Sequence, residues 1–153
     1  MSDDVEYNVK GLENLLKALK EKPPVARIGV LSDGGRKDGA SNVEIGVKHE
    51  FGSDGMPIRS FLRMPISDNM QKYLDESGLI EPVIIDKVLQ NGSLKELVSV
   101  IGEIGFTIVQ DAFHSNGFGK WPPWKTPGYT SRTGLILVDT QQLRDSIQMD
   151  VKS

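Results

Sequence analysis

The sequence predicts an α+β fold, in which a small antiparallel sheet packs against helices, one of them long and central, with extended loops between. Three observations support this class: β-like alternation near both ends of the chain, helical periodicity between them, and repeated helix-capping signals. The 153 residues fit a single domain, residues 1–153, that is large enough to bury a core of its own.

The N-terminal third predicts two strands around one helix. Residues 5–9 alternate apolar and polar side chains and predict a short strand. Residues 11–21 predict a helix with leucines on one face, which Pro23-Pro24 ends. Residues 25–31 are β-prone and predict a second strand, and the glycine-rich residues 32–39 predict a mobile turn.

A capping box predicts the next helix. Ser41 and Glu44 have the capping-box spacing, so a helix is expected from about Asn42 to Phe51. Gly52 can adopt the left-handed conformation that closes helices.

The middle of the chain predicts an extended segment followed by two helices. Residues 57–65 contain two prolines and are expected to be extended. Ser67 is the expected cap of a helix that runs to about Glu76, and a further helix is expected at about 81–90.

The longest helix is expected at about 94–115, with Ser93 as its cap. Its apolar residues cover more than one face, so it should lie at the centre of the fold or face a second subunit. Gly102 and Gly105 each cost a helix interior about 1 kcal/mol relative to alanine, which predicts that another backbone comes close there.

The C-terminal part predicts a long loop, a short helix and a closing strand. Residues 116–134 are rich in glycine and proline and predict the long loop. Asp139 is the expected N-cap of a short helix that begins near Thr140, and residues 146–151 alternate as a final strand does.

Composition limits the possible functions. A net charge of −3 gives no strong attraction for DNA or for an anionic membrane, and no apolar run is long enough to span a bilayer. The chain has no cysteine, which excludes thiolate metal sites and cysteine nucleophiles. The acidic N-terminus does not have the pattern of a signal peptide.

The residues allow two chemical alternatives. A metal or hydrolytic site could use His49, Glu50 and His114, but adjacent helical residues point about 100° apart and no second histidine follows four residues later. Neither catalytic nor metal-binding residues nor a cofactor are therefore expected. A nucleic-acid-binding module could instead use the basic side chains Arg36, Lys37, Arg59 and Arg63.

Two segments predict contact surfaces instead. In an extended segment Arg59, Phe61 and Arg63 share one side, which would give an aromatic anchor with a charged rim. Trp121 and Trp124 flank two prolines, and they either cover the core or dock on a neighbouring subunit.

Two blocks of sequence carry a family resemblance. The first is HEFGSDGMPIRSFLRMPI, residues 49–66, with Glu50-Phe51-Gly52 followed by Met56-Pro57-Ile58-Arg59-Ser60-Phe61-Leu62. The second is Trp121-Pro122-Pro123 with Thr130 and Arg132, followed by LILVDTQQLRDSI, residues 135–147. Together they resemble the small tail-completion (neck) proteins of long-tailed bacteriophages, the Mu-type virion-morphogenesis and related head-tail joining families. In those families an acid-Phe-Gly turn precedes an IPxRPFL run, and a tryptophan-proline loop leads into L-x-D-T-G-x-L-x-x-S-I. Ser60 stands here where the family often has proline, and Gln141 where it often has glycine.

The resemblance implies a non-enzymatic protein of the virion, assembled in the host cytoplasm. It implies a homo-oligomeric ring, expected to be hexameric, that joins the tail tube or tail terminator to the head-tail connector, with DNA passing through without specific binding and no membrane contact. The alternatives are a tail terminator ring or a small nucleic-acid-binding module. The candidate interface residues are Glu50, Phe51, Gly52, Met56, Pro57, Arg59, Phe61, Arg63, Trp121, Pro122, Pro123 and Trp124.

Overall fold

The computed structural model of the chain describes residues 9–32 without 11, 15 and 18, residue 39, and residues 41–91, 94–124, 136–137 and 141–153. A two-stranded antiparallel sheet packs against one long helix, which confirms the predicted α+β class. The elements are β1 (Val25–Gly29), α1 (Asn42–Phe51), α2 (Arg63–Ser77), α3 (Pro82–Asn91), α4 (Leu94–His114), α5 (Gln142–Asp145) and β2 (Gln148–Lys152).

The sheet joins two strands that lie far apart in the sequence. β1 pairs with β2 in a register that places Ala26 opposite Val151 and Ile28 opposite Met149. Both strands were predicted, with bounds within two residues of those observed. Because a two-stranded ribbon is only marginally stable alone, the sheet needs the face of α4 against which it packs.

Helix α4 is the centre of the fold and packs against α2 and both strands. The close approach predicted at its glycines is present, but side chains rather than backbone make it. A Cβ added to Gly102 would lie 2.9 Å from Cβ of Ala26, and one added to Gly105 would lie 2.6 Å from Cδ1 of Ile28. These glycines therefore allow the sheet to lie close to the helix.

Helix α1 begins and ends where the sequence predicts. The Ser41 hydroxyl accepts a hydrogen bond from the backbone N–H of Glu44 at 3.3 Å, so Ser41 is the N-cap. The helix ends at Phe51, and Gly52 follows with a positive φ of 79°. Local signals were sufficient here because every partner lies within a few residues.

The prediction for the start of α2 is wrong. The helix begins at Arg63, before the expected cap Ser67, and its N-cap Leu62 makes no side-chain capping bond. Pro65 is compatible with the helix because a proline in the first turn removes an N–H that has no helical acceptor. The end of α2 at Gly78, in the left-handed conformation, is ordinary C-cap geometry.

Other predictions fall partly or wholly outside the described residues. The expected strand at 5–9 is described only at Val9, which is helical. Ser93 and Asp139 lie outside the described residues, as does the second half of the predicted loop at 116–134. Residues 116–120 of that loop form hydrogen-bonded turns. The short helix expected from about Thr140 with Asp139 as its N-cap begins instead at Gln142, and Gln141 is its N-cap.

The core lies between α4, the start of α2 and the C-terminal segment. Its buried apolar side chains are Phe61, Ile108, Val109, Ala112, Phe113, Trp121, Leu137, Leu143 and Ile147.

Candidate functional site

The carboxylate of Glu50 is the centre of the site. It is buried, and it accepts four hydrogen bonds from one short segment of chain. Oε1 accepts from the Ser60 hydroxyl at 2.7 Å and from the N–H of Arg63 at 3.0 Å. Oε2 accepts from the N–H groups of Phe61 and Leu62 at 2.9 and 3.0 Å. A negative charge is thus placed at the positive N-terminal end of α2.

Together Glu50 and Ser60 account for the first turn of α2. The N–H of Arg63 binds Glu50, and the N–H of Met64 binds the Ser60 hydroxyl at 3.0 Å. Pro65 has no N–H, and Ile66 makes the first bond of the helix itself, to the carbonyl of Leu62. This side-chain cap comes from another helix, which explains why the local sequence did not reveal where α2 starts.

The chain reaches this geometry through a tight reversal after α1. Gly52 turns the chain, a short bridge joins Ser53 to Met56, and the N–H of Arg59 binds the carbonyl of His49 at 2.8 Å. The reversal returns the chain alongside the last turn of α1, so that Glu50 meets the segment that follows.

This arrangement uses the full acceptor capacity of Glu50. A carboxylate offers about four lone-pair sites, and the four donors fill them. The groups of the metal or hydrolase alternative are therefore engaged separately: Glu50 caps α2, and exposed His114 at the end of α4 contacts the carbonyl of Gln110 at 2.8 Å. Within the described ranges, no group of three histidine or acidic side chains has the geometry of a metal site.

Arg59 is buried, which corrects its predicted place in the charged rim of a contact surface. Arg59 is 1% exposed. Its Nε donates a hydrogen bond to the carbonyl of Pro122 and its Nη2 donates one to the carbonyl of Pro123, both at 2.8 Å. Its Cζ lies 4.9 Å from the centre of the Trp124 ring. Burial lowers the pKa of the Arg59 guanidinium below its usual value. The cation fixes the Trp-Pro-Pro-Trp segment to the segment that enters α2.

Phe61 and Trp121 are also part of the core and not of a free surface. The Phe61 and Phe113 rings are 5.3 Å apart, and Trp121 meets Phe113 edge-on at 5.8 Å. The indole N–H of Trp121 donates to the carbonyl of Ser60 at 2.9 Å. Of the two interpretations open for Trp121, the structure shows the one in which it covers the core.

His49 lies in the same buried region. Its Nδ1 has no hydrogen-bond partner among the described residues, and the residue is 8% exposed. Burial, with the charge of Arg59 as a second cause, lowers the pKa of His49 to about 4. The imidazole is therefore neutral at physiological pH.

The turn after α4 holds Trp121 in place through an unusual backbone. Residues 116–119 all have positive φ, including the non-glycine residues Asn116 and Phe118. A Cβ added to Gly117 would lie 2.3 Å from the Trp121 ring, so only glycine fits beneath it.

Ser60 and Gln141, which differ from the pattern that the sequence resembles, have distinct structural roles. Ser60 uses its hydroxyl to link Glu50 to α2, which a proline could not do. Gln141 has a φ of 60° just before α5, in the region that favours glycine, and its side chain accepts a hydrogen bond from Arg144 at 3.0 Å.

The remaining predicted interface residues differ in exposure. Phe51, Arg63 and Pro123 are exposed, and the Arg63 guanidinium lies 5.6 Å from the centre of the Phe51 ring. The half-buried members are Gly52, Met56, Pro57, Pro122 and Trp124. An interface role stays a prediction for this set.

Helix α1 carries an exposed apolar face that was not predicted from the sequence. Val43, Val47 and Phe51 follow one another at intervals of four residues and are 40%, 52% and 61% exposed. That spacing is visible in the sequence and is the signal that could have identified the face. It borders a groove, here named the α1 groove, of about 150 Å³, lined by Val30, Val43, Gly46, Val47, Glu50, Phe51, Phe61 and Leu62.

A second, larger pocket of about 320 Å³ lies between the first turns of α2 and residues 117–122. Ile58 and Met64 line it and are 51% and 43% exposed. The ion pair between Lys120 and Asp68, at 2.8 Å, lies at the same pocket.

No family model, curated protein or solved structure matches the chain.

In the described part of the chain, the helices are too short or too polar to cross a membrane.

Proposed function

We propose that this protein is a ring-forming structural component of a bacteriophage neck, a tail-completion protein that joins the tail to the head connector. The observation that supports the proposal is the direct contact between the two sequence segments that resemble the neck proteins, residues 49–66 and the segment that begins at Trp121. Arg59 of the first block binds two carbonyls of the second, and Trp121 of the second donates to Ser60 of the first. Residues that stand about sixty positions apart thus form one hydrogen-bonded unit.

The polar groups of this unit support a structural role. Glu50, Ser60 and Arg59 direct their hydrogen bonds to the chain itself, to helix N–H groups and proline carbonyls. Such a framework holds adjoining surfaces in fixed positions, which an assembly protein requires.

The exposed apolar side chains around the unit are suited to contacts between subunits. Phe51, Ile58 and Met64 are each more than 40% exposed and lie next to the framework. A closed ring needs heterologous contacts, in which one patch meets a different patch on the next copy. Neighbouring virion proteins would contact the two faces of such a ring.

A joining assay tests the proposal. Phage particles produced without this protein should accumulate as separate heads and tails, and adding the purified chain should restore joined particles. Cryo-electron microscopy of the restored particles should place a ring of this chain at the neck, with six copies expected. Normal joining in its absence would refute the proposal, as would finding the chain outside the particle.

A further inference from the structure

Each strand of the sheet has one edge without a strand neighbour in the described part of the chain. The sheet consists of β1 and β2, so each strand bonds to the other along one side only. Along the outer side of each strand, the N–H and C=O groups of alternate residues point away from the sheet. Beyond the ladder itself, no backbone–backbone hydrogen bond between described residues involves residues 25–29 or 148–152. Each outer edge is thus a row of backbone donors and acceptors that a further strand could pair with.

The two strands lack several devices by which natural proteins protect such edges. Neither strand contains a proline, and their register runs from end to end without a bulge. No charge points inward, because Ala26, Ile28 and Met149 face the glycines of α4, and Val151 lies opposite Ala26 on the same side. The edges are therefore competent to accept another strand.

The outer face of the sheet carries a charged row across its middle. Arg27, the central residue of β1, lies opposite Asp150, the central residue of β2. Nε of Arg27 donates to Oδ1 of Asp150 at 2.8 Å, and Nη2 donates to Oδ2. Both side chains are 40% exposed, and this pair uses only part of their capacity, since a guanidinium has five N–H groups and a carboxylate about four lone-pair sites. The one further charge on the two strands is Lys152, at the end of β2.

This row distinguishes the ways in which two copies could join edge to edge. Full-length antiparallel pairing of β1 with β1 would place Arg27 opposite Arg27, and pairing of β2 with β2 would place Asp150 opposite Asp150. Like charges directly opposite each other destabilise an antiparallel pair. Pairing of β1 with β2 of the next copy, in the register of the subunit itself, places Arg27 opposite Asp150 and Val25 opposite Lys152. Opposite charges then alternate along the row from copy to copy.

We infer that the outer edge of β1 pairs with the outer edge of β2 of a second copy, antiparallel and in the register of the subunit, so that the sheet continues between copies. Addition of a strand to a sheet edge is a common mode of recognition, in which main-chain hydrogen bonds give affinity and side chains give specificity. The two edges are different surfaces of the same chain, so the contact is heterologous and leaves one edge of each kind for the next copies. The inference rests on the self-association in the proposed function and specifies one contact that produces it.

Cysteine cross-linking tests the register, because the natural chain has no cysteine. Val25→Cys and Lys152→Cys variants, both changed at exposed positions, should form a disulfide-linked dimer of the two different variants under mild oxidation. Opposite Cα atoms in an antiparallel pair are about 4.5–5.5 Å apart, which is within the range of disulfides. Val25→Cys mixed with Gln148→Cys, an exposed position at the other end of β2, is the matched control and should not cross-link.

Three results of this experiment would overturn the inference. One is the absence of the dimer between Val25→Cys and Lys152→Cys. Another is cross-linking of Val25→Cys to Gln148→Cys, which would show parallel pairing. The third is cross-linking of Gln148→Cys to Lys152→Cys, which would show β2 paired with β2.

An exchange of charges tests what selects the partner. A chain with both Arg27→Asp and Asp150→Arg keeps an ion pair within the subunit and opposite charges in contacts with its own kind. In a mixture with the natural chain at low ionic strength, each chain should prefer its own kind, because contacts between unlike chains place like charges opposite each other. The unlike contacts should be about fivefold weaker.

Native mass spectrometry of the mixture measures this preference. Preferential mixing of the two chains would reveal β1 paired with β1 or β2 with β2. Random mixing would show that the charged row does not select the partner. Either result would overturn the inference.

The failure of this inference can be distinguished from that of the proposed function. A chain that is monomeric at all concentrations, or an assembly whose copies do not cross-link between β1 and β2, overturns the pairing of edges. The joining assay uses phage particles and the natural chain, so it can still succeed in either case.

Discussion

At the scale of single residues, Glu50 replaces a local cap. Most helices obtain their N-cap from the residue just before them, whereas α2 receives its cap from the last turn of α1. The carboxylate also compensates its own burial, because each lone-pair site meets a donor.

The substitution Glu50→Gln should destabilise the protein by about 3 kcal/mol. The amide keeps one acceptor oxygen and turns an NH₂ group toward N–H donors, which leaves buried donors without partners. Urea unfolding would measure the loss. Glu103→Gln, at an exposed position on α4, is the control and should change stability by no more than about 0.5 kcal/mol. If Glu50→Gln changed the stability as little as Glu103→Gln does, the capping role of Glu50 would be contradicted.

His49 should make the folded protein less stable as the pH falls. Its pKa is about 4 in the folded protein and 6.5 in the unfolded chain, so the unfolded chain binds the proton more readily between these values. Stability is therefore fully present above the unfolded pKa and is lost as the pH falls toward the folded one. The loss should be about 2 kcal/mol between pH 7 and pH 5.

The measurement is urea unfolding at both pH values for the natural protein and for His49→Gln, which does not titrate. The difference between their pH dependences isolates His49 from all other groups. Parallel curves for the two proteins would show that His49 does not carry the effect.

At the scale of elements, helix boundaries were predictable where their signals are local. Ser41, Gly52 and Gly78 act on neighbouring residues, and α1 and the end of α2 were found within about one residue. The start of α2 was not predicted correctly, because the residue that caps it, Glu50, lies on another helix. β1 was predicted from its β-prone residues and β2 from its alternation, but the pairing of the two strands depends on the tertiary fold.

The glycines of α4 should differ in their tolerance of alanine. At Gly102 the added Cβ meets the Cβ of Ala26, which can move only with the strand backbone. At Gly105 it meets the end of the flexible Ile28 side chain. Gly102→Ala should therefore cost about 1–2 kcal/mol net, since overpacking outweighs the gain in helix propensity.

Gly105→Ala should stay within about 1 kcal/mol of the natural protein, since Ile28 can change rotamer. Thermal and urea unfolding of the two variants would compare them. A reversed order, with Gly105→Ala the less stable, would mean that the strand moves more easily than the side chain.

At the scale of the whole molecule, the hydrophobic residues of one motif divide between core and surface. Phe61 is 1% exposed and Phe51 is 61% exposed, although they lie ten positions apart. The sequence indicated that both matter, but it could not tell which side each would face. Arg59 shows the same limit, because its acceptors Pro122 and Pro123 lie more than sixty residues away.

Phe61→Ala and Phe51→Ala should separate folding from assembly. Phe61→Ala should lower stability by about 3–5 kcal/mol, because it opens a cavity in the aromatic core. Phe51→Ala should change stability by no more than about 1 kcal/mol and should weaken self-association, since it removes an exposed anchor. Unfolding curves and sedimentation velocity measure the two effects. Undiminished association of Phe51→Ala would place the contact elsewhere.

The remote cap of α2 also couples the stability of α2 to that of α1. A helix of fifteen residues is marginal in water without help at its ends, and the residue before Arg63 offers none. An isolated peptide of residues 63–77 should therefore be mostly unstructured. In the chain, α2 has its cap only when α1 and the reversal after it place the Glu50 carboxylate at its first turn, so the two helices should gain and lose their structure together.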